Sequence, residues 1–378
     1  MPEENEVYEG FTRIFAGLPD NRQPGKIKYS VSELFFAALG AMLCGANNWE
    51  EMEIFAAQKL ELLREFFPYA HGAPCKDTLR RFFRACDAVV FRDKFIEWMR
   101  SLHPVLADRV IALDGKTSRH SFDGDGHPLH LVSAFSCEAR LVLGQEEIAE
   151  KSNEIKAIPR LLDMLALEGA IVTIDAMGCQ HKIADQICAK KGHYILALKG
   201  NQGNLHEDIE LFFKDKSMSP SIKTHAHTDG GHGRIETRVC SSSDDVAWLR
   251  QRHPFWHSLN AIACIHSSRD IAGIVVHETR YFVTSMPSDP AQLLHAIRSH
   301  WAIENSLHWS LDMTFLDDQN RTRKDHAPMN MAILRHIALN ILQKNRPKRR
   351  SVSGFRKLIG WNDSFLRTLL SGLSQMSS

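Results

Sequence analysis

The sequence predicts an α/β protein in which a mixed sheet follows an all-helical N-terminal region, and two patterns carry this prediction. Residues 1–105 show apolar side chains at helical spacing, interrupted by Gly and Pro. From residue 109 onward, short apolar runs alternate with helical segments after an initial meander of three strands. Continuous apolar runs are typical of strands buried on both faces, and the alternation indicates a mixed sheet covered by helices.

The N-terminal region is predicted to contain helices at 31–44, 49–67 and 77–88. Ser30 or Ser32 is the candidate cap of the first helix. The third helix follows a Gly/Pro turn and resembles the second half of a helix-turn-helix, although a basic helix packed on a helical bundle is the more common explanation. Its clustered basic side chains are Lys76, Arg80, Arg81 and Arg84.

Two aspartates are predicted to follow buried strands of the sheet. The predicted strands lie at 110–113, 131–136, 139–144, 170–174 and 194–198, and the predicted helices lie at 156–168 and 182–189. Asp114 and Asp175 each come directly after the last apolar residue of a strand, which is where α/β sheets build their sites. Taken singly, each aspartate also fits a turn or a helix cap.

A β-rich insertion is predicted at about 202–286, between the last strand of the sheet and the next long helix. Its predicted strands lie at 235–240, 261–266, 274–277 and 281–284. Arg234 lies at the start of one of these strands, after a turn-forming cluster.

One helix is predicted over 291–315, which contains neither proline nor glycine. His300, Glu304 and His308 are spaced by four and therefore share a face, with Asp312 at its edge. The expected apolar face consists of Leu293, Leu294, Ile297, Trp301 and Leu311. A carboxylate on a mostly apolar helix needs a metal or a cationic partner, although a salt-bridged surface glutamate is common.

The predicted sheet can bring Asp114, Asp175 and Glu304 together. Three converging carboxylates repel one another, so the cluster would require divalent cations. Hard oxygen ligands suit Mg²⁺ or Mn²⁺, and two such ions can activate an attacking oxygen and stabilise a leaving oxygen in phosphodiester chemistry. We therefore expect a site with two Mg²⁺ or Mn²⁺ ions.

Composition excludes several other classes of protein. The chain of 378 residues is 44% hydrophobic and 24% charged, as in ordinary globular proteins. Its eight cysteines form no CxxC pair, which disfavours zinc ribbons and fits free thiols in a reducing compartment. No signal core or apolar run of ~20 residues occurs, so we expect a cytoplasmic protein with no membrane partner. No P-loop, HExxH or GxSxG motif is present.

The net charge of +1 hides a basic C-terminal segment. Lys and Arg outnumber acids over 321–357, most densely in NRPKRR at 345–350. The candidate contacts to a polyanion are Lys348, Arg349 and Arg350, although basic tails are often only solvated.

With these residues in view, the chain resembles the DDE transposases of bacterial insertion sequences, in particular the H-repeat-associated, Rhs-linked branch. The resemblance covers about 10–345. The segments that carry it are ALDGKTSRHS at 112–121, LVLGQEEIAEKSNEIKAIPRLL at 141–162, GAIVTIDAMGCQHKIADQI at 169–187, YILALKGNQGNL at 194–205, HGRIETR at 232–238 and IRSHWAIENSLHWSLDMTFLDD at 297–318.

The resemblance implies an RNase H-like catalytic core over 106–345, interrupted by the insertion, behind a helical transposase-associated domain at 1–105 and before a basic tail at 346–378. It implies that Asp114, Asp175 and Glu304 bind two Mg²⁺ or Mn²⁺ ions. It also implies cleavage at the ends of a mobile element and attack of the freed 3′-hydroxyl on target DNA. The expected partners are the terminal inverted repeats and target DNA, with a dimer on DNA in the nucleoid.

One departure from the family concerns the glutamate helix. Related transposases carry a Tyr, an Arg and a Lys around the catalytic Glu, whereas Ile297, His300 and Leu311 stand at those positions here. The DNA-contacting role of that set therefore does not transfer. The substitute candidates for DNA contact are Arg298, His300, Asn305, His308, Lys116 and Arg234, and Lys116 and Asp312 are candidates for supporting the carboxylates.

Two alternative functions remain open from the sequence. One is a metal-dependent nuclease of the same core that cuts DNA without joining strands, and the other is a catalytically inactive DNA-binding remnant of a mobile element. The presence of all three carboxylates counts against the remnant.

Overall fold

The computed structural model describes residues 14–374 apart from residues 16, 21, 103–105, 107–108, 123–126, 149–153, 232–233 and 272. A mixed sheet of nine strands runs through the chain, with helices from both ends of the sequence packed beside it. No described helix combines the length and the apolar character that crossing a membrane requires.

The described chain forms helices before it enters the sheet. They are α1 (Val31–Leu43), α2 (Trp49–Gln58), α3 (Leu60–Arg64), α4 (Lys76–Ala85) and α5 (Ala88–Leu102). Ser30 caps α1 in a capping box, because its Oγ accepts from the Glu33 N–H at 3.1 Å and its own N–H donates to Glu33 Oε2 at 2.7 Å. The single helix predicted at 49–67 is divided between α2 and α3.

The strand order of the sheet is β3-β2-β1-β4-β5-β9-β8-β7-β6. The first five strands are β1 (Val110–Phe122), β2 (Pro128–Ser136), β3 (Leu141–Ile148), β4 (Ile171–Ile174) and β5 (His193–Leu198). Strands β1, β4 and β5 are parallel to one another, whereas β2 and β3 run antiparallel to their neighbours. Helix α6 (Glu154–Asp163) lies between β3 and β4 in the chain, and α7 (His181–Ala189) connects β4 to its parallel neighbour β5.

Strand β1 is longer than predicted. The sequence predicts that it ends before Asp114, whereas the strand continues to Phe122. Pairing with β4 stops at Leu113, but β2 continues to pair with β1 through Ser118, so the residues after Asp114 remain in the sheet. Asp114 therefore lies within a strand rather than at its end.

The segment between β5 and the glutamate helix adds four strands to the same sheet. Helix α8 (Asn204–Lys214) comes first and was not predicted, nor was β6 (Lys223–Gly231), whose polar sequence lacks a strand pattern. The remaining elements are β7 (Arg234–Ser243), α9 (Ala247–Arg252), β8 (Ala261–Ile271) and β9 (Ile274–Thr284). The two short strands predicted at 274–277 and 281–284 form one strand, β9, which pairs directly with β5.

The glutamate helix is divided into three parts. Helix α10 (Pro290–His300) is followed by a π-helix (Ile303–His308) and then by α11 (Trp309–Thr314). The sequence predicts one continuous α-helix here. A π-helix has wider turns than an α-helix, so spacing by four does not keep Glu304 and His308 strictly on one face.

The C-terminal segment is folded rather than a free tail. Helix α12 (Ala327–Asn345) is buried along most of its length, and α13 (Val352–Trp361) and α14 (Asp363–Ser374) follow it. The buried Arg356 donates to the carbonyl oxygens of Met42 at 2.7 Å and Ala46 at 2.9 Å, next to the end of α1. The predicted polyanion contacts 348–350 are exposed between α12 and α13.

Candidate active site

Strand register places Asp114 and Asp175 side by side. Leu113 of β1 pairs with Ile174 of β4 in parallel, and each aspartate is the next residue of its chain. Asp114 Oδ1 accepts from the Gly115 N–H at 2.9 Å. Asp175 Oδ1 accepts from the N–H of Met177 at 3.0 Å and of Gly178 at 3.4 Å, so this carboxylate also caps a short turn. The cap role considered from the sequence therefore coexists with a position in the site.

Glu304 lies in the π-helix beside Asp175. Both residues line a cavity of about 390 Å³, together with His300, Trp301 and Arg280. Partial burial raises the pKa of Glu304, the Arg280 guanidinium opposes this effect, and the charge of Asp175 adds to it. The helix thus brings the third predicted carboxylate to the same cavity as the second.

The carboxyl group of Asp114 has a strongly raised pKa. Burial raises the pKa of Asp114 to about 7, although the Gly115 N–H opposes the shift. The negative charges of Asp175, Glu304 and Glu154 raise the pKa further. The carboxylates whose charges reach Asp114 are thus the other two predicted ones and, in addition, Glu154.

The three carboxylates do not form a closed ligand set. Among the described residues, the group of at least three possible metal ligands whose atoms all lie within 4.8 Å of one another is Asp312, Asp317 and Asp318. Lys116 Nζ lies 2.6 Å from Asp312 Oδ1 and 3.4 Å from Asp318 Oδ1. Asp317 accepts from Arg335 Nη1 at 2.9 Å. Side-chain cations therefore already balance this second acidic group.

Lys116 is held in these ion pairs, and its side chain is only 12% exposed. From the sequence, Lys116 is a candidate both for contacting DNA and for supporting the carboxylates of the site. Its position on β1, two residues after Asp114 and against Asp312, fits support, because a lysine shared by carboxylates is not available to a phosphate.

Two neutral histidines flank the two aspartates. His300 Nδ1 lies 2.9 Å from Thr173 Oγ1, and burial lowers the pKa of His300 to about 4. His308 Nδ1 lies 3.6 Å from Asp114 Oδ2, and burial, followed by the charge of Lys116, lowers the pKa of His308 to about 4. Both imidazoles are thus uncharged near pH 7, which limits their attraction for phosphate.

The other predicted DNA contacts are dispersed. Arg298 forms an ion pair with Asp229 of β6 and a 3.0 Å hydrogen bond with His227 Nδ1. Asn305 is exposed at a second cavity of about 420 Å³. Arg234 begins β7, but its side chain lies outside the described residues.

Two features of the cavity wall are not predicted from the sequence. Arg280 of β9 lines both cavities, donates to Glu278 Oε1 at 2.8 Å and stacks its guanidinium 5.1 Å from the centre of the Trp301 ring. Trp301, predicted as core, is 40% exposed. The pairing of β9 with β5 places Arg280 here, and no local pattern in the sequence announces that pairing.

Glu154 was missed as well. Its Oε1 lies 2.6 Å from His130 Nε2, and His130 Nδ1 lies 2.6 Å from Thr117 Oγ1. A Cβ placed on Gly115 would lie 2.6 Å from Glu154 Oε1, so this carboxylate packs against the backbone next to Asp114. In the sequence, Glu154 lies just before the helix predicted at 156–168, and no pattern marks it as part of a site.

Comparisons with known proteins relate this chain to one family. The sequence model described as "Transposase DDE domain" matches residues 106–341, and the model described as "DDE_Tnp_1-associated" matches residues 12–99. The chain is 37% identical to "Putative transposase YncI" of Escherichia coli O157:H7 over 95% of this chain and 94% of that one. It is 35% identical to "H repeat-associated putative transposase YhhI" of Escherichia coli K12 over 94% of this chain and 96% of that one.

Among solved structures, the cryo-EM structure of a piggyBac transposase synaptic complex with hairpin DNA is similar to this chain with a TM-score of 0.42 and 10% identity. The similarity covers 98% of this chain and 77% of that one.

Proposed function

Because this chain belongs to the transposase DDE domain family, we propose that it cuts the ends of its insertion sequence and joins the resulting 3′-hydroxyl ends to target DNA. The proposed catalytic residues are Asp114, Asp175 and Glu304. The observations that support the proposal are the parallel register of β1 and β4, in which Asp114 and Asp175 follow paired residues, and the cavity that Asp175 and Glu304 both line.

The donor set fits divalent cations. All three proposed ligands are carboxylates, which Mg²⁺ and Mn²⁺ prefer. The raised pKa of Asp114 reflects burial and neighbouring like charges, which a bound cation would offset. Two bound ions would supply activation of the attacking oxygen and stabilisation of the leaving oxygen.

The protein's own residues would orient this chemistry. His308 lies against Asp114, and His300 is hydrogen-bonded to Thr173 near Asp175. Because both imidazoles are uncharged, they do not compete with metal cations for these carboxylates. Arg280 is the cation near Glu304 on the cavity wall, where it would contact a phosphate oxygen.

DNA is the proposed partner, with the terminal inverted repeats bound first and target DNA second. Cutting and joining require two element ends in one complex, so we propose a dimer on DNA. The core would be RNase H-like, with β6–β9 as the insertion that carries Arg280 to the cavity.

The decisive experiment uses labelled duplexes from both flanks of the gene, incubated with the protein and Mg²⁺ or Mn²⁺. We expect nicking at one defined position with wild-type protein and a loss of at least about 100-fold with Glu304→Gln. Glu168→Gln is the matched control, because that exposed carboxylate pairs only with the exposed Lys191 among the described residues.

A second step separates the alternatives. A pre-cleaved duplex with a 3′-hydroxyl end is offered together with a supercoiled plasmid, and strand joining is measured. Nicking without joining would indicate the nuclease. Binding with no nicking in either metal would indicate the inactive remnant and would refute the proposed activity.

A further inference from the structure

A basic cleft lies between the N-terminal helices and the loop that follows the glutamate helix. Its volume is about 370 Å³, and Trp49 contributes to its wall. The cationic side chains that line it are Arg80, Arg84, Arg321, Arg323 and Lys324. The sequence includes 321–324 in the basic segment 321–357, but no pattern in it places this loop against α4.

The cleft has a net positive charge even after the ion pairs of its own side chains are counted. Arg80 pairs with Asp77 at 2.8 Å, and Arg84 pairs with Asp325 at 2.6 Å. Within the described part of the chain, Arg321 and Lys324 form no ion pair, and both are exposed. Five cations against two carboxylates leave a concave surface that attracts a polyanion.

The loop is fixed to the far end of the strand that carries Asp114. Arg323 Nε donates to the His120 carbonyl oxygen at 3.3 Å, and its guanidinium lies 5.1 Å from the centre of the Phe122 ring. His120 is six residues beyond Asp114 on β1, and a strand advances ~3.3 Å per residue, so the strand separates them by roughly 20 Å. Successive phosphates of one DNA strand are about 3.4 Å apart along the helix axis.

We propose that this cleft binds the phosphodiester backbone of the duplex whose end is cleaved, about six nucleotides from the cut. The inference rests on the proposed function and adds a second holding point made jointly by α4 and the loop at 321–324. Such contacts set position and register and carry no base sequence information. The cleft therefore fixes the position of the bound duplex relative to the three carboxylates.

The first test measures binding and needs no catalysis. A labelled duplex from the gene's flank is titrated in EDTA at several salt concentrations with wild-type protein and with the variant Arg80→Gln, Arg321→Gln, Lys324→Gln. We expect binding about 10-fold or more weaker at moderate salt and a salt slope reduced by roughly two to three. The control variant neutralises three exposed lysines outside the cleft: Lys182, Lys191 and Lys214. Circular dichroism checks that both variants are folded.

Equal salt slopes for the cleft variant and the wild type, or an equal loss in the control, would overturn the proposal. Failure of cleavage by the wild type would count against the proposed function alone, because binding in EDTA is measured separately. Where cleavage occurs, single methylphosphonates are placed along the duplex. A neutral linkage five to eight nucleotides from the cut should weaken wild-type binding but not that of the cleft variant, and loss at other positions only would refute the spacing.

Discussion

At the scale of single residues, the main feature of the site is the pKa of one carboxyl group, that of Asp114, which burial and neighbouring charges raise. Asp114 is half-buried near Asp175, Glu304 and Glu154, and its pKa is raised to about 7, far above the usual range of an aspartate. The folded protein without cations therefore prefers the protonated form. The unfolded chain loses this proton near pH 4, whereas the folded chain loses it near pH 7. The ionisation of Asp114 therefore lowers the stability of the fold increasingly between pH 4 and pH 7.

Asp114→Asn should stabilise the metal-free protein in a pH-dependent way. Because the folded pKa is raised, ionised Asp114 destabilises the fold as the pH rises from 4 to 7, and the penalty is complete above pH 7. We expect the variant to gain up to about 4 kcal/mol at pH 8 and close to nothing at pH 4. Chemical denaturation in EDTA at both pH values measures the difference. The same gain at both pH values would refute the electrostatic cause.

Arg280 is the residue for which the structure adds most to the sequence. Arg280→Gln should lower the rate of DNA nicking about 10-fold or more, because a cation beside Glu304 would be lost from the cavity wall. Arg252→Gln is the control, since Arg252 pairs with Asp208 on α8 and lines neither cavity. Single-turnover rates at saturating DNA test this directly, and equal rates for Arg280→Gln and wild type would exclude the role.

At the scale of elements, the π-helix at Ile303–His308 is the unusual feature. A π-turn amounts to one extra residue inside an α-helix, and such turns occur frequently at functional sites because they redirect side chains. Here the extra residue lies between α10 and α11, so it sets how Glu304 faces the cavity while both flanking helices keep their buried contacts.

Deleting Ser306 should convert this segment to continuous α-helix. We expect thermal unfolding within a few degrees of the wild type, since one residue is removed without disturbing the buried faces of α10 and α11, together with a loss of nicking of about 100-fold. Ser306→Ala is the control that retains the chain length. Retained nicking in the deletion variant would show that the π-turn is not required to place Glu304.

The predictable part of the structure is also best seen at the scale of elements. The short apolar runs before Asp114 and Asp175 could be predicted, because buried strands leave clear local patterns in the sequence. The extent of β1 could not, since its second half is held by β2 rather than by its own apolar sequence. Strand β6 is polar because it lies at the sheet edge, so it lacks the pattern that the prediction needs.

At the scale of the whole molecule, the missed features depend on contacts between distant parts of the chain. Arg280 reaches Glu304 only because β9 pairs with β5, across the segment from Lys199 to Gly273. Lys116 is occupied by Asp312 and Asp318, which follow it by about two hundred residues. Charge and spacing within one segment cannot reveal such partners. The segment predicted as a basic tail likewise forms helices, because its apolar residues pack against distant parts of the chain.

The hydrogen bonds of Arg356 also bear on the order in which the protein can mature. Two carbonyl oxygens near the end of α1 receive their partner from a residue more than three hundred positions later. During synthesis on the ribosome, the N-terminal helices therefore emerge long before the group that completes them. A product released before residue 356 would contain all three proposed catalytic carboxylates and yet lack this contact to the N-terminal helices.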